Sequence, residues 1–314
     1  MAQAVRFHQT GGPEVLALEH VAVGEPGPGE VHLRHHAVGC NFADTYFRTG
    51  YYPVQPPCGI GVEAAGEVVA VGEGVTNVSP GDRVSYNGGP LGAYSTERVM
   101  PAAPLMNLPD SVSYETAAAS TMRGLTAVYW MMKTDPRLKA GDTILLHAAA
   151  GGVGLIACQW AKVLGLQLIA TAGTDAKCQL ALANGAAHAI NYATEDFAAR
   201  VKEITAGQGV KVVYDSVGKD TWDQSLECLR PFGLMASFGN ASGPVAPFAP
   251  GMLGAKGSLY VTRQTLFTHI ATRESTQAMA DELFAVVASG QVKIHIDQRY
   301  PLADVQQAHR DLEA

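Results

Sequence analysis

His147-Ala148-Ala149-Ala150-Gly151-Gly152-Val153-Gly154 is the stretch on which the reading of this chain turns. Before it, TILLHAA is an apolar run too short for a helix; after it, GLIACQWAK carries a helical pattern. The spacing Ala149-x-Gly151-x-x-Gly154 is that of a dinucleotide fingerprint with alanine in place of the first glycine. In that reading Gly151 lets backbone approach a pyrophosphate, and Gly154 lets the helix pack closely on the strand. The N–H groups of the helix start, with Ala150, Gly152 and Val153 around them, face the anion. The competing reading is an ordinary tight strand–helix turn.

Working outward, the alternation continues. LQLIATAG reads as strand, DAKCQLALANG as helix, HAINY as strand, EDFAARVKEITAG as helix and VKVVYDSVG as strand. TWDQSLECLRPFG then reads as helix, followed by the strands LMASFGN and GSLYVT. Strands alternating with helices of this length predict βαβ units, hence an α/β fold with a Rossmann-type, doubly wound parallel sheet.

A dinucleotide site selective for NAD needs an acid near the end of the second strand, to hold the ribose 2′-OH. That strand ends Ala172-Gly173-Thr174, and Asp175 falls past it, in the first turn of the next helix, where it is expected to cap. With no acid at the tip, a 2′-phosphate meets no repulsion. Gly173 gives access, Thr174 a hydrogen bond and Lys177 a charge, which favours NADPH. Lys177 as a plain solvated helix residue is the alternative.

The first hundred residues have another texture. AVRF, LALEHVAV, EVHLRHHAVG and EAAGEVVAVG are strand-like, punctuated by GEPGPGE, GEGVTNVSPGD and NGGPLG, which predicts an irregular, mostly antiparallel β domain. After Pro109, SYETAAASTMRGLTAVYWMMKT is helix-compatible with Ser113 as N-cap. Beyond Arg263 the alternation stops: STQAMADELFAVVASG reads as helix, VKIHIDQRYPL as an extended return and ADVQQAHRDLEA as a final helix. This tail is expected to rejoin the first domain. The predicted division is residues 1–122 with 264–314, against 123–263.

Composition excludes several classes. The 314 residues suit two domains, and 47% hydrophobic against 16% charged residues leaves little room for disorder. Twenty-two basic against 29 acidic residues give −7, with no basic run, which disfavours nucleic acid or an anionic membrane as partner. Five dispersed cysteines, Cys40, Cys58, Cys158, Cys178 and Cys228, form no CxxC. No apolar stretch has the length of a membrane span, and the N-terminus lacks a signal peptide's apolar core, so a cytoplasmic protein is expected.

NFADTYFRTGYYP, GVEAAGEVVAVGEGV, PGDRV, AAASTMRGLTA, HAAAGGVGLIACQWAK, VVYDSVGKDTW and GSLYVTRQTL, in that order, resemble the medium-chain dehydrogenase/reductase superfamily. Within it they resemble the zinc-independent NADPH:quinone oxidoreductases, the zeta-crystallin-like branch. The resemblance spans essentially the whole chain and implies a GroES-like catalytic domain beside the Rossmann domain. Where zinc-dependent relatives carry a cysteine and a histidine ligand, this chain has Asn41 and Val62, and the four-cysteine lobe is missing, so no metal is expected. The adjacent pair His35-His36 points to opposite strand faces and is a poor chelate.

The resemblance further implies a cleft between the domains, with Asn41, Tyr46, Tyr52 and Arg263 beside nicotinamide and acceptor. Asn41 and the phenol of Tyr46 or Tyr52 would donate to a developing oxyanion. Tyr51 and Tyr52 as loop-packing aromatics, and Arg263 as a cofactor rather than substrate contact, are the alternatives. Further cofactor contacts carried over are Asn41 itself, Thr126, Tyr129, Tyr192, Ser216, Phe238, Gly239 and Asn240. Asp215, at a strand end, reads equally as acid or as turn cap. The implied activity is NADPH-dependent reduction of small quinones. The alternatives are reduction of activated C=C bonds in enals or enones, and a structural or regulatory NADPH-binding protein. A homodimer across the exposed edge of GSLYVT is implied as well. Relatives usually run past DLEA with a basic residue, glycines and a short apolar strand, whereas this sequence stops at Ala314; either its end is clipped, or a final strand and one cationic cofactor contact are missing.

Overall fold

A computed structural model of the protein describes Met1–Ala314, except the side chains of Met132 and Lys133. It resolves into two compact units. One comprises Met1–Met122, Ile270–Ala288 and Ile294–Ala314; the other comprises Arg123–His269 and Ser289–Lys293.

The first unit is antiparallel throughout its strand pairing. Its strands are β1 (Ala2–Phe7), β2 (Ala17–Val21), β3 (Glu30–Val38), β4 (Cys58–Gly59), β5 (Glu63–Val71), β6 (Arg83–Asn87), β7 (Glu97–Pro101) and β8 (Leu105–Asn107). They form a three-stranded sheet, β2-β1-β4, and a five-stranded sheet, β7-β3-β5-β6-β8. Inward residues of the larger sheet, Val31, Leu33, Val68, Val84 and Met100, make one core; Val5, Phe7, Ile60 and Tyr94 make another with Val305 of the tail. Burying a side chain of this kind is worth roughly 1.5–3 kcal/mol.

Helix α1 (Phe42–Thr49) starts in a capping box. The Asn41 backbone N–H donates to Asp44 Oδ2 at 2.9 Å, and the helix ends at Gly50, whose φ of 82° is the left-handed C-terminal conformation. Its buried Arg48 donates to Glu313 at 2.7 Å and meets His309 Nδ1 at 2.9 Å, which anchors the C-terminal helix Val305–Glu313. Helix α2 (Tyr114–Ala118) has Ser113 as its N-cap, the hydroxyl accepting from Thr116 N–H, as the sequence predicts. After a break, α3 (Thr121–Val128) follows.

The second unit alternates β9 (Thr143–Leu146), α4 (Gly152–Val163), β10 (Gln167–Ala172), α5 (Asp175–Ala183), β11 (His188–Asn191), α6 (Phe197–Ile204), β12 (Val210–Asp215), α7 (Trp222–Cys228), β13 (Leu229–Ser237) and β14 (Tyr260–Arg263). All pairings are parallel, in the order β11-β10-β9-β12-β13-β14. This is the doubly wound Rossmann order, with its switch point between β9 and β12. Every residue of β12 is buried, as a central strand covered on both faces requires.

One local expectation is corrected. The predicted helix TWDQSLECLRPFG stops at Cys228, and Leu229 already begins β13; Pro231 has no N–H for a helical bond. The return VKIHIDQRYPL forms neither helix nor, among the described residues, a paired strand before a short 3-10 turn at Leu302–Asp304. Among the described residues, no helix is long and apolar enough to cross a membrane.

Candidate functional site

The carboxyl ends of the parallel strands collect most of the sequence-predicted residues. Gly151 caps α4 in extended conformation without a side-chain bond, leaving the helix start to backbone groups alone. The fingerprint's alanine has a clear geometry. Ala149 is fully buried, its N–H donates to Thr171 O at 3.1 Å, and the left-handed residue is its neighbour Ala148, with φ 52°. Glycine is therefore not demanded at 149. It is demanded at 154, where a Cβ would stand 2.4 Å from the Ala149 carbonyl oxygen. At Gly152 a Cβ would stand 2.5 Å from Cδ of Arg123, so this glycine makes way for a side chain. Ala150 and Val153 are half-buried on the same turn.

At the end of β10, Thr174 is the N-cap of α5, its hydroxyl accepting from the Lys177 N–H at 3.3 Å. The cap is thus Thr174; Asp175, expected to cap, instead accepts from Asn191 Nδ2 at 2.7 Å. The Lys177 side chain is exposed. Tyr192, 47% exposed, leans over Gly173: a Cβ there would be 2.9 Å from its hydroxyl. Gly173, Thr174, Lys177 and Tyr192 thus share one corner.

Beyond β12 and β13, Gly239 lies backbone-to-backbone on Ser216, where a Cβ would meet the Ser216 carbonyl oxygen at 2.5 Å. Phe238 N–H donates to Asp215 O at 2.9 Å, and its ring sits on Trp130 with centroids 3.9 Å apart. Arg263, ending β14, donates through Nη1 to Gly239 O at 3.1 Å and to Ser237 Oγ at 3.2 Å. Arg263 and Asn240 also line a cavity of ≈ 480 Å³ with Trp222, Val245 and Phe248. Thr126 is half-buried on α3, and Tyr129 is buried with its ring stacked on His269, centroids 4.5 Å apart. Burial pushes the Tyr129 phenol up to about 12.

Asp215 resolves as a turn cap. Oδ1 accepts from the N–H groups of Val217 and Gly218, and Oδ2 from the Thr221 and Ser225 hydroxyls. His147 bridges Thr171 Oγ1 at 2.8 Å and Ser225 Oγ at 2.9 Å, and burial lowers its pKa so that it stays neutral. Serine, histidine and aspartate meet here, but the aspartate binds the serine, and Ser225 has no access to solvent. The cluster joins β9, β10 and α7 and offers no nucleophile.

Asn41, Tyr46 and Tyr52 belong to the other unit, and Arg263 is not of it. Buried Asn41 donates through Nδ2 to Glu63 Oε2 at 2.6 Å, which orients the amide and leaves its second hydrogen for another acceptor. Tyr46 and Tyr52 pack edge-to-face, centroids 5.2 Å apart, amid Phe42, Phe47 and Tyr51. Both tyrosines thus pack within an aromatic cluster. Asp44 accepts from Tyr94 Oη at 2.9 Å, and burial raises its carboxyl to about 6. His35 faces Ser95 and Tyr86 while His36 stacks on Tyr114, so the pair does diverge.

Sequence reading passed over Arg123 and Glu63. Arg123 lies three residues before Thr126 on one helix face, a spacing that could have marked it; for Glu63 only the tertiary contact with Asn41 gives the signal. A dinucleotide fits the donor set of the second unit. A bare helix start, four glycines that a Cβ would block or crowd (Gly152, Gly154, Gly173 and Gly239), an exposed lysine and a tyrosine at the strand ends suit phosphates and ribose. Zinc does not fit the first unit. Val62 is buried hydrocarbon, the Asn41 amide nitrogen is turned to a carboxylate, and among the described residues no three His, Cys, Asp or Glu side chains converge.

A family model described as zinc-binding dehydrogenase matches residues 152–285, and one described as alcohol dehydrogenase GroES-like domain matches residues 27–110. The chain is 52% identical over 315 residues to a quinone oxidoreductase of Pseudomonas aeruginosa, covering 100% of this chain and 97% of that protein. It is 43% identical over 317 residues to a 2-haloacrylate reductase of Burkholderia, covering 99% and 95%. The crystal structure of Escherichia coli quinone oxidoreductase complexed with NADPH superposes with a TM-score of 0.95 at 50% identity, over 99% of this chain and 96% of that one. With half of its residues identical over its whole length, the chain belongs to the quinone oxidoreductases of the medium-chain, zinc-binding-type dehydrogenase family.

Proposed function

We propose that this protein reduces quinones with NADPH and without zinc. The observation that carries the reading is the gathering of Gly151–Gly154, Gly173, Thr174, Lys177, Tyr192, Phe238–Asn240 and Arg263 at the carboxyl ends of one parallel sheet. It is supported by half-identity to quinone oxidoreductases, one of them known in complex with NADPH. In this reading the second unit is the cofactor domain and the first, with the tail, the acceptor domain.

Bound NADPH would supply a hydride, which with one proton from solvent converts a quinone to its hydroquinone. The protein's part is to orient and to exclude water. Arg263 braces the Gly239 carbonyl and Ser237, fixing the loop after β13. Glu63 holds Asn41 so that its second amide hydrogen is available to an acceptor oxygen, and the hydroxyls of Tyr46 and Tyr52 are further donors. Thr126 on α3, Tyr129 directly after it, and Ser216 after β12 complete the cofactor's surroundings. The edge strand β14, with Tyr260 half exposed, is the surface for a homodimer, to be checked by light scattering at micromolar concentration.

The decisive assay follows NADPH absorbance with benzoquinone, phenanthrenequinone and hexenal, each beside NADH and with EDTA. Quinone-dependent turnover that prefers NADPH and ignores EDTA is expected. Turnover with hexenal alone would move the chain to reduction of activated C=C bonds, a reading favoured by its likeness to the haloacrylate reductase. Cofactor binding with no turnover on any acceptor would leave only a binding role.

A further inference from the structure

We infer that Arg123 is a binding residue for the cofactor's pyrophosphate, an inference that rests on reading the Gly151–Gly154 turn as the dinucleotide's anion site. Arg123 lies on α3, outside the turn, and its side chain runs across the first residue of α4. A Cβ on Gly152 would stand 2.5 Å from Arg123 Cδ and 2.6 Å from Nη1. Its Nε is buried and has no hydrogen-bond partner, and no carboxylate pairs with the guanidinium among the described residues.

Two physical facts make that placement costly unless an anion joins it. The start of a helix carries partial positive charge, so a cation laid against it is repelled. The buried Nε–H of Arg123 has also lost hydration that only a bonded acceptor restores. A pyrophosphate answers both: its oxygens accept the planar fork of the guanidinium together with the backbone N–H groups of α4. The other cations at this end of the sheet have separate posts. Arg263 is engaged with Ser237 and Gly239, and Lys177 stands on α5 after β10. Gly152 is glycine for the same reason, since any larger residue would displace the arginine from the turn.

The test is calorimetric titration of the full-length protein with NADPH, ADP and adenosine 2′-monophosphate. Arg123→Met keeps the apolar stem and removes the charge. It is expected to raise the Kd for NADPH and ADP by roughly tenfold or more, the scale of one charge-assisted hydrogen bond. The 2′-monophosphate, which has no pyrophosphate, is expected to bind within about twofold of the parent affinity. Arg123→Lys, which restores a positive charge, is expected to recover part of the loss. Unchanged ADP affinity in Arg123→Met overturns the inference and leaves the function reading standing. A loss shared equally by all three ligands and not relieved by lysine assigns Arg123 to packing, and also overturns it. Failure of the parent protein to bind NADPH and ADP overturns both readings.

Discussion

Lys177 shows how much a single residue can carry when its surroundings are small and neutral. Its backbone N–H serves the Thr174 cap, its side chain is exposed, and Asp175, the nearest acid along the chain, is held by Asn191. In the proposed reading the exposed side chain meets the 2′-phosphate, so truncating it would remove one charge-assisted contact. Lys177→Ala is predicted to raise the Kd for NADPH by about tenfold while changing that for NADH less than about twofold. Equal losses for both nucleotides in a fluorescence titration would refute the role. The composition of this corner was legible in the sequence; which residue capped the helix was not. Thr174 and Asp175 both have capping side chains, and only the neighbouring strand's Asn191 decides between them.

At the scale of elements, the turn from β9 into α4 depends on one close approach. Helix and strand are near enough at Gly154 that an added methyl would press on a backbone carbonyl, and backbone cannot swing aside as a flexible side chain can. Gly154→Ala is predicted to cost roughly 1–3 kcal/mol, as overpacking does, read as a lowered urea midpoint of unfolding and weakened NADPH binding. Parent-like stability would contradict this account of the turn. The fingerprint spacing marks Gly154, while alanine stands at 149 in place of the motif's first glycine. Its backbone is not left-handed, and the strain falls on Ala148 instead, a fact invisible without the dihedral angles. Pro231 is the converse case: it lies inside the predicted helix TWDQSLECLRPFG, it has no N–H for a helical bond, and the helix stops at Cys228.

Across the whole molecule, buried histidines tie stability to pH. Burial lowers the pKa of His35 and His309 from 6.5 to about 4, and that of His147 in the same direction. His309 is faced by Arg48, Glu313 and the ring of Tyr94, and the cation adds to the depression. A group with a depressed folded pKa leaves the unfolded chain binding more protons, so stability present above about 6.5 is lost as pH falls toward about 4. Asp44 opposes this, because its raised pKa favours the fold as pH drops through about 6. Three histidines against one carboxyl predict an apparent Tm that declines from pH 7 to pH 5 (the buffer range to be scanned, about two units). His309→Gln, which keeps an acceptor for Arg48, should flatten that slope. A Tm that rises on acidification would run against the prediction.

The sequence by itself determined the α/β class, the doubly wound sheet, the antiparallel partner unit and the glycines of the turn. Each of these is written in local periods and spacings that neighbouring residues impose on one another. The tertiary structure alone decided that Glu63 orients Asn41, that Asp215 caps a turn and that His147 and Ser225 are structural. It also decided that Arg123 lies across Gly152. Those pairs are separated by 22, 3, 78 and 29 residues along the chain. For the long separations no local pattern carries the contact, and for Asp215 the choice between acid and cap depends on which donors the fold brings to its oxygens.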